Sequence, residues 1–415
     1  MKYIVRTATY KQNLFWSICA SLTNSVHSVL MLALVSRVCG SEGAGVFSLS
    51  YSIAQMMYLV CCFEMANVLI TDSQKFIGFR DSACFRVATN AVMLLFAVGF
   101  SVVQKFTGET LSVFAMLTVH MMLLSAAELC ESHLHRSNYL NLSGRSLTCN
   151  LILCDIAFLV TLVTTKNITI SVISMCCVTL IWILIYDVPY VRNAGITRIS
   201  SKSMVAVWKM LLQQCAPLVG MRLVMSYIMN APKLSIDHYL TLIDQSYFGY
   251  MLMPASCVNL LSVFVLRPQL VNMAASYNNK DKKRFVGIVG RIVMWNVLVS
   301  VCVLCGGYFL GIPILSVFYG VNLRGLEMML CTVLLGGCFY AFATLFDAVA
   351  TTMRSHQWNL LIYIPTFLLA SALSAYLVKS FELMGAAWSY MLMMLMLALG
   401  SGMILLVTIK RKFAE

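Results

Sequence analysis

Charge is what this sequence lacks. Of its 415 residues only 11% are charged against 60% hydrophobic, and the mean hydropathy is +0.85. A soluble domain carries about a quarter charged residues because its surface faces water. A chain so poor in charge needs a second, apolar solvent, which is lipid. No Gly-x-x-x-x-Gly-Lys-Ser/Thr loop is present, which excludes ATP hydrolysis by that route. Long polar loops are missing as well, so there is no room for a catalytic domain outside the bilayer. Any binding must happen inside the helical bundle, and neither enzyme activity nor a cofactor is expected. A cleavable signal peptide is not evident either, so the first apolar stretch is expected to stay.

What is present is basic. The net charge is +13, yet the Lys and Arg residues sit in short runs between apolar stretches rather than on one soluble face. That pattern excludes a nucleic-acid partner and points to a membrane surface. Sixteen cysteines lie mostly within apolar stretches. Cys302 and Cys305 have redox or zinc spacing but no second pair and no nearby His, so they read as packing residues and no metal is expected.

The apolar stretches give about twelve helical spans, each needing ~20 residues. They run over 13–38, 44–70, 84–104, 111–131, 147–165, 168–191, 210–232, 246–271, 287–310, 325–350, 358–378 and 384–409. Alternate gaps with the span ends beside them, starting with the N-terminal one, hold 21 Lys and Arg, Arg86 among them; the others hold only Arg37, Lys105, Lys166, Lys233, Arg324 and Lys379. This asymmetry puts the first set, and both chain ends, in the cytoplasm. Trp16, Trp208 and Trp358 fall near inner ends and Trp388 near an outer end, as interfacial anchors would, with a core aromatic the alternative for each.

A cytoplasmic link at 192–209 divides a bundle of six spans, 1–191, from a second at 210–415. Six is even, so both halves enter the membrane in the same sense, as parallel repeats of a transporter do. The expected fold is therefore all-α and membrane-integral, with two pseudo-twofold-related six-helix bundles around a central cavity.

Ionised side chains at mid-bilayer cost about 2.5–3.5 kcal/mol on insertion scales, so each needs a reason. Arg222 lies deep in the seventh span, with Ser226 and Asn230 continuing its face. It reads as an anion-binding cation facing an aqueous cavity, or as a structural ion pair with an acid on another helix. Arg267 closes the eighth span before Pro268, with Ser256 and Asn259 near its face; snorkelling to the inner interface is its alternative. In the first span Ser17, Ser21, Asn24 and Ser28 form a polar stripe edged by His27, which could line water or substrate or only pack helices. Ser48, Ser52 and Gln55 share a face of the second span, whereas Glu64 points the other way and reads as a partner for another helix. Asp347 lies on a stripe with Thr344, Thr351 and Arg354, where Arg354 could neutralise it. Glu64 and Asp347 are the candidates for ion or proton coupling. Glu128 and Asp155, near inner span ends, read as structural or interfacial.

Several stretches along the chain resemble one family. They are Lys11-Gln-Asn-Leu-Phe-Trp16, Gly40-Ser-Glu-Gly-Ala-Gly-Val-Phe-Ser-Leu49, Arg267-Pro268, Lys280-Asp-Lys-Lys-Arg284 and Gly385-Ala-Ala-Trp-Ser-Tyr390. The chain is similar to the polysaccharide-unit (Wzx-type, O-antigen and capsule) flippases of the multidrug/oligosaccharidyl-lipid/polysaccharide exporter superfamily. The resemblance implies a bacterial cytoplasmic-membrane protein that moves an undecaprenyl-diphosphate-linked oligosaccharide to the outer leaflet. Its partners would be that lipid-linked substrate, the membrane lipids and enzymes of surface-polysaccharide (lipopolysaccharide or capsule) assembly. It also implies a cavity lined by spans one, two, seven and eight, where Arg222 and Arg267 would hold the diphosphate. Ser21, Asn24, His27, Gln55 and Asn259 would then contact the rest of the head. With only two intramembrane arginines, a dense basic vestibule is not expected. An ion-coupled small-molecule exporter of the same superfamily is the alternative. A glycan polymerase or glycosyltransferase is disfavoured by the short outer loops.

Overall fold

A computed structural model describes residues 9–71, 76–195, 203–266, 269–353 and 360–412. Every regular element among them is helical. In chain order they are α1 (Tyr10–Cys62), α2 (Met65–Thr71), α3 (Phe79–Val103), α4 (Gly108–Arg136), α5 (Leu140–Thr165), α6 (Ile168–Trp182) and α7 (Val188–Asn193). Then follow α8 (Met204–Tyr239), α9 (Leu242–Leu266), α10 (Leu270–Asn278), α11 (Lys282–Gly306), α12 (Ile312–Tyr319), α13 (Glu327–Thr352) and α14 (Leu360–Lys412). Single π-helical turns, Ile183–Asp187 and Gly307–Gly311, join α6 to α7 and α11 to α12. Ten of the helical runs are long and apolar enough to cross a membrane. Their outward faces are apolar, as on α3, where Leu95, Phe96, Val98, Val102 and Val103 are all exposed. In water such a surface would aggregate; in lipid it is the solvated face. The all-α membrane architecture read from the sequence is the one found.

Two helices are too long to be single crossings. A straight helix of 53 residues would run ~80 Å, well beyond the ~30 Å of a hydrocarbon core. Both α1 and α14 break instead at one residue, Gly40 (φ 76°, ψ −176°) and Glu382 (φ 51°, ψ −133°). The chain doubles back there. A Cβ on Gly43 would lie 2.7 Å from Cys39 Cβ and 3.8 Å from Val35 Cγ1, although residues eight apart in a straight helix are separated by ~12 Å. A Cβ on Gly385 would overlap the Leu377 carbonyl in the same way. The breaks fall between the first and second expected spans and between the last two.

The chain forms two compact units, Met1–Leu223 and Val224–Glu415. The sequence-based boundary at 192–209 differs from this division. The first part of α8 packs with the N-terminal unit, because Val207, Leu211 and Cys215 share a core with Met65, Leu69, Ile77, Phe85 and Leu129. Within that unit α1 packs on α4 and α5, and α6 on both of them. In the second unit α13 packs against α9, α11 and α14. Small residues allow the close approaches: a Cβ on Gly337 would sit 2.9 Å from the Ala255 carbonyl oxygen, so α13 and α9 touch backbone to backbone.

Candidate functional site

The N-terminal unit contains an interrupted helix. Phe63 (φ 51°) and Glu64 (φ 48°) are both left-handed, so α1 stops and α2 begins again at Met65. A break of this kind frees backbone carbonyls, which lipid cannot satisfy. Here the Cys61 carbonyl accepts from Arg86 Nη1 at 2.7 Å and from Thr89 Oγ1 at 2.8 Å. Arg86 is only 2% exposed, and its Nη2 donates to Glu128 Oε2 at 2.8 Å. The break is thus a built feature with its own buried cation and counter-ion.

Its product is the position of Glu64. One oxygen, Oε2, accepts from Asn67 Nδ2 at 2.6 Å. The other, Oε1, lies 3.2 Å from Arg222 Nε on α8. The Glu64 side chain is 13% exposed, but that of Arg222 is 62% exposed. Of the two readings of Arg222, an open cation and an ion pair on another helix, the geometry contains elements of both. The guanidinium touches one carboxylate through one nitrogen. Its remaining donors have no partner among the described residues. A guanidinium has five N–H donors in a planar fork, so most of this one's capacity is unused.

The other sequence-expected residues are spread over both units. Asn24 and Gln55 are exposed, and Gln55 Nε2 donates to Tyr51 Oη at 2.9 Å. Ser21 is half-buried, its carbonyl accepting from Ser25 Oγ at 2.8 Å. His27 is buried, with Nδ1 2.6 Å from Asp155 Oδ1 on α5. The partner of His27 is therefore a carboxylate on another helix. In the second unit Asn259 Oδ1 accepts from Thr344 Oγ1 at 2.8 Å. Asp347 accepts a hydrogen bond from the Tyr363 hydroxyl. Arg354, expected as its partner, and Arg267 both lie outside the described residues. Asn230 turns back onto its own helix, donating to the Ser226 carbonyl at 2.9 Å. Among the described residues no cluster has the His, Cys and carboxylate composition of a metal centre.

Sequence reasoning missed Arg86, which it counted as a cytoplasmic loop cation, and with it Asn67, Tyr51 and Tyr363. The signal for Arg86 was available. Arg86 opens and Glu128 nearly closes two consecutive expected spans, 84–104 and 111–131, so the two charges fall at one depth, where opposite charges can pair.

No known protein family matches the sequence, and no curated protein sequence does. Solved structures do. A multidrug-resistance MATE family transporter of the MOP superfamily, in its inward-facing conformation, aligns over 94% of this chain and 95% of its own, with a TM-score of 0.69 and 11% identity. The lipid II flippase MurJ, inward closed, aligns over 97% and 89%, with a TM-score of 0.72 and 12% identity. A eukaryotic MATE transporter aligns over 97% and 98%, with a TM-score of 0.63 and 11% identity. The chain has the MATE and MurJ fold. The likeness covers nearly the whole of each chain, so the fold is matched as a unit. At this identity the fold is shared and side-chain roles are not transferred; those have to come from this chain's own residues.

Proposed function

We propose that this chain is a flippase of the Wzx type, moving an undecaprenyl-diphosphate-linked sugar unit from the cytoplasmic to the outer leaflet of a bacterial cytoplasmic membrane by alternating access. In this reading the chain makes twelve crossings with both ends cytoplasmic, and it serves O-antigen or capsule biosynthesis alongside assembly enzymes. The observation that carries the reading is Arg222, a charged group in an apolar helix that is 62% exposed and held by a single ion pair among the described residues. A guanidinium fork matches phosphate oxygens bidentately, which makes it the preferred cation for a diphosphate. Arg267 would assist, while Ser21, Asn24, His27, Gln55 and Asn259 would supply polar contacts to the sugar. The lipid tail stays in hydrocarbon, so only the charged, hydrated head needs a polar route.

The test is surface display. In a host that depends on this protein for its surface glycan, Arg222→Gln is expected to cut display at least tenfold at equal protein level. Unchanged display would remove the diphosphate role.

A second reading is supported by the half-buried acids and the MATE likeness: an ion-coupled small-molecule exporter, with Glu64 or Asp347 carrying the coupling ion. Drug efflux measured in a host without its own pumps separates the two. Efflux lost on replacing Asp347 with Asn, with glycan display intact, would favour the exporter.

A further inference from the structure

We propose that Glu64 is a built-in stand-in for the phosphate, so that substrate enters by exchanging one anion for another at Arg222. The inference rests on the reading of Arg222 as the diphosphate-binding cation and adds the device that keeps this cation usable. An unaccompanied arginine in a bilayer is expensive, so an empty carrier needs a local counter-charge. A counter-charge that gripped the whole fork would block the site. Glu64 meets both demands: it touches Nε at 3.2 Å, and the Nη side meets no partner among the described residues.

The carboxylate is also arranged to survive the exchange. When the substrate takes Arg222, Glu64 keeps the Asn67 bond of 2.6 Å at its other oxygen. It therefore does not become a buried orphan, a state that costs much more than an exposed one. Nor can it readily follow the arginine. Its backbone is fixed in the left-handed conformation, and Arg86 and Thr89 clamp the Cys61 carbonyl three residues earlier. The clamp is itself neutralised by Glu128. Glu64 then faces the bound phosphate as a like charge, which lowers affinity and favours release. Tight capture is a disadvantage in a carrier whose substrate must leave on the other side.

The experiment measures binding of farnesyl diphosphate, a diphosphate-headed isoprenoid without sugar, to the purified full-length protein in detergent. Wild type, Glu64→Gln, Arg222→Gln and the double variant are compared, with a thermal melt to check the fold of each. Glu64→Ala serves as a second route if the Gln variant does not fold. Glu64→Gln is expected to tighten binding about fivefold, the scale of a partly exposed ion pair. Arg222→Gln is expected to weaken it, and the double variant to behave as Arg222→Gln alone, because the competitor matters only when the cation is present. If Arg222→Gln weakens binding while loss of Glu64 leaves it unchanged or weaker, the exchange device is wrong and the diphosphate reading stands. If Arg222→Gln has no effect, both fall.

Discussion

Arg86 carries three jobs at once. It satisfies the carbonyl exposed by the helix break, it pairs with Glu128, and it fills a site that is 2% exposed. Replacing it with Gln removes the charge but leaves Glu128, which is 25% exposed on its side chain. Breaking a fully buried pair costs about 3–5 kcal/mol, and the partial exposure of Glu128 reduces that to about 2–3 kcal/mol. The expected outcome is a clearly lowered melting temperature of the detergent-solubilised protein. A melting temperature equal to wild type would mean that the break needs no support. At this scale the sequence was informative where a charge stood alone in a long apolar run, as Arg222 does. It was misleading where a charge stood near a run's end, because Arg86 and a true loop arginine look alike in one dimension. Partners were hidden for the same reason. Glu64 and Arg222, and His27 and Asp155, are brought together by tertiary packing that no spacing in the chain announces.

The elements are long helices modified at a few points, and the modifications do the positioning. Gly40 and Glu382 turn helices back on themselves; Phe63 and Glu64 interrupt one and aim its carboxylate. The reversal before α14's last segment needs Gly385, where any side chain would meet the Leu377 carbonyl. Gly385→Val is expected to give no monodisperse protein on size-exclusion chromatography. Gly99→Ala is the matched control, because a Cβ there meets nothing within 4 Å, and it should be indistinguishable from wild type. The spans themselves were legible, since a run of ~20 apolar residues has few other fates. Their edges were less so. The close pair 147–165 and 168–191 is resolved by Lys166, which takes a left-handed conformation (φ 52°), and by Asn167, whose side chain caps Ile170 N–H at 3.1 Å. That turn fits two full helices around a two-residue link. The π turns were invisible, since one extra residue in an apolar helix leaves its composition unchanged.

For the molecule as a whole, orientation rests on the distribution of cations, 21 against 6. Single cysteines on a cysteine-free background give the check. Lys105→Cys, Lys166→Cys, Arg324→Cys and Lys379→Cys should react with a membrane-impermeant maleimide from outside intact cells, and Lys282→Cys only after permeabilisation. Inverted labelling at any outer position would break the count of twelve crossings. Fold class followed from composition because lipid permits so few backbone solutions. Substrate class did not, because MATE and MurJ neighbours share the fold over 94% and 97% of this chain, so the fold alone does not choose between their cargoes. Reconstituted transport addresses the cargo most directly. Purified protein in liposomes, given a fluorescent diphosphate-linked isoprenoid sugar in one leaflet, is expected to bring it to the other, and Arg222→Gln is expected to reduce that rate at least tenfold. Equal rates for wild type and Arg222→Gln, or none above protein-free liposomes for either, would contradict the account.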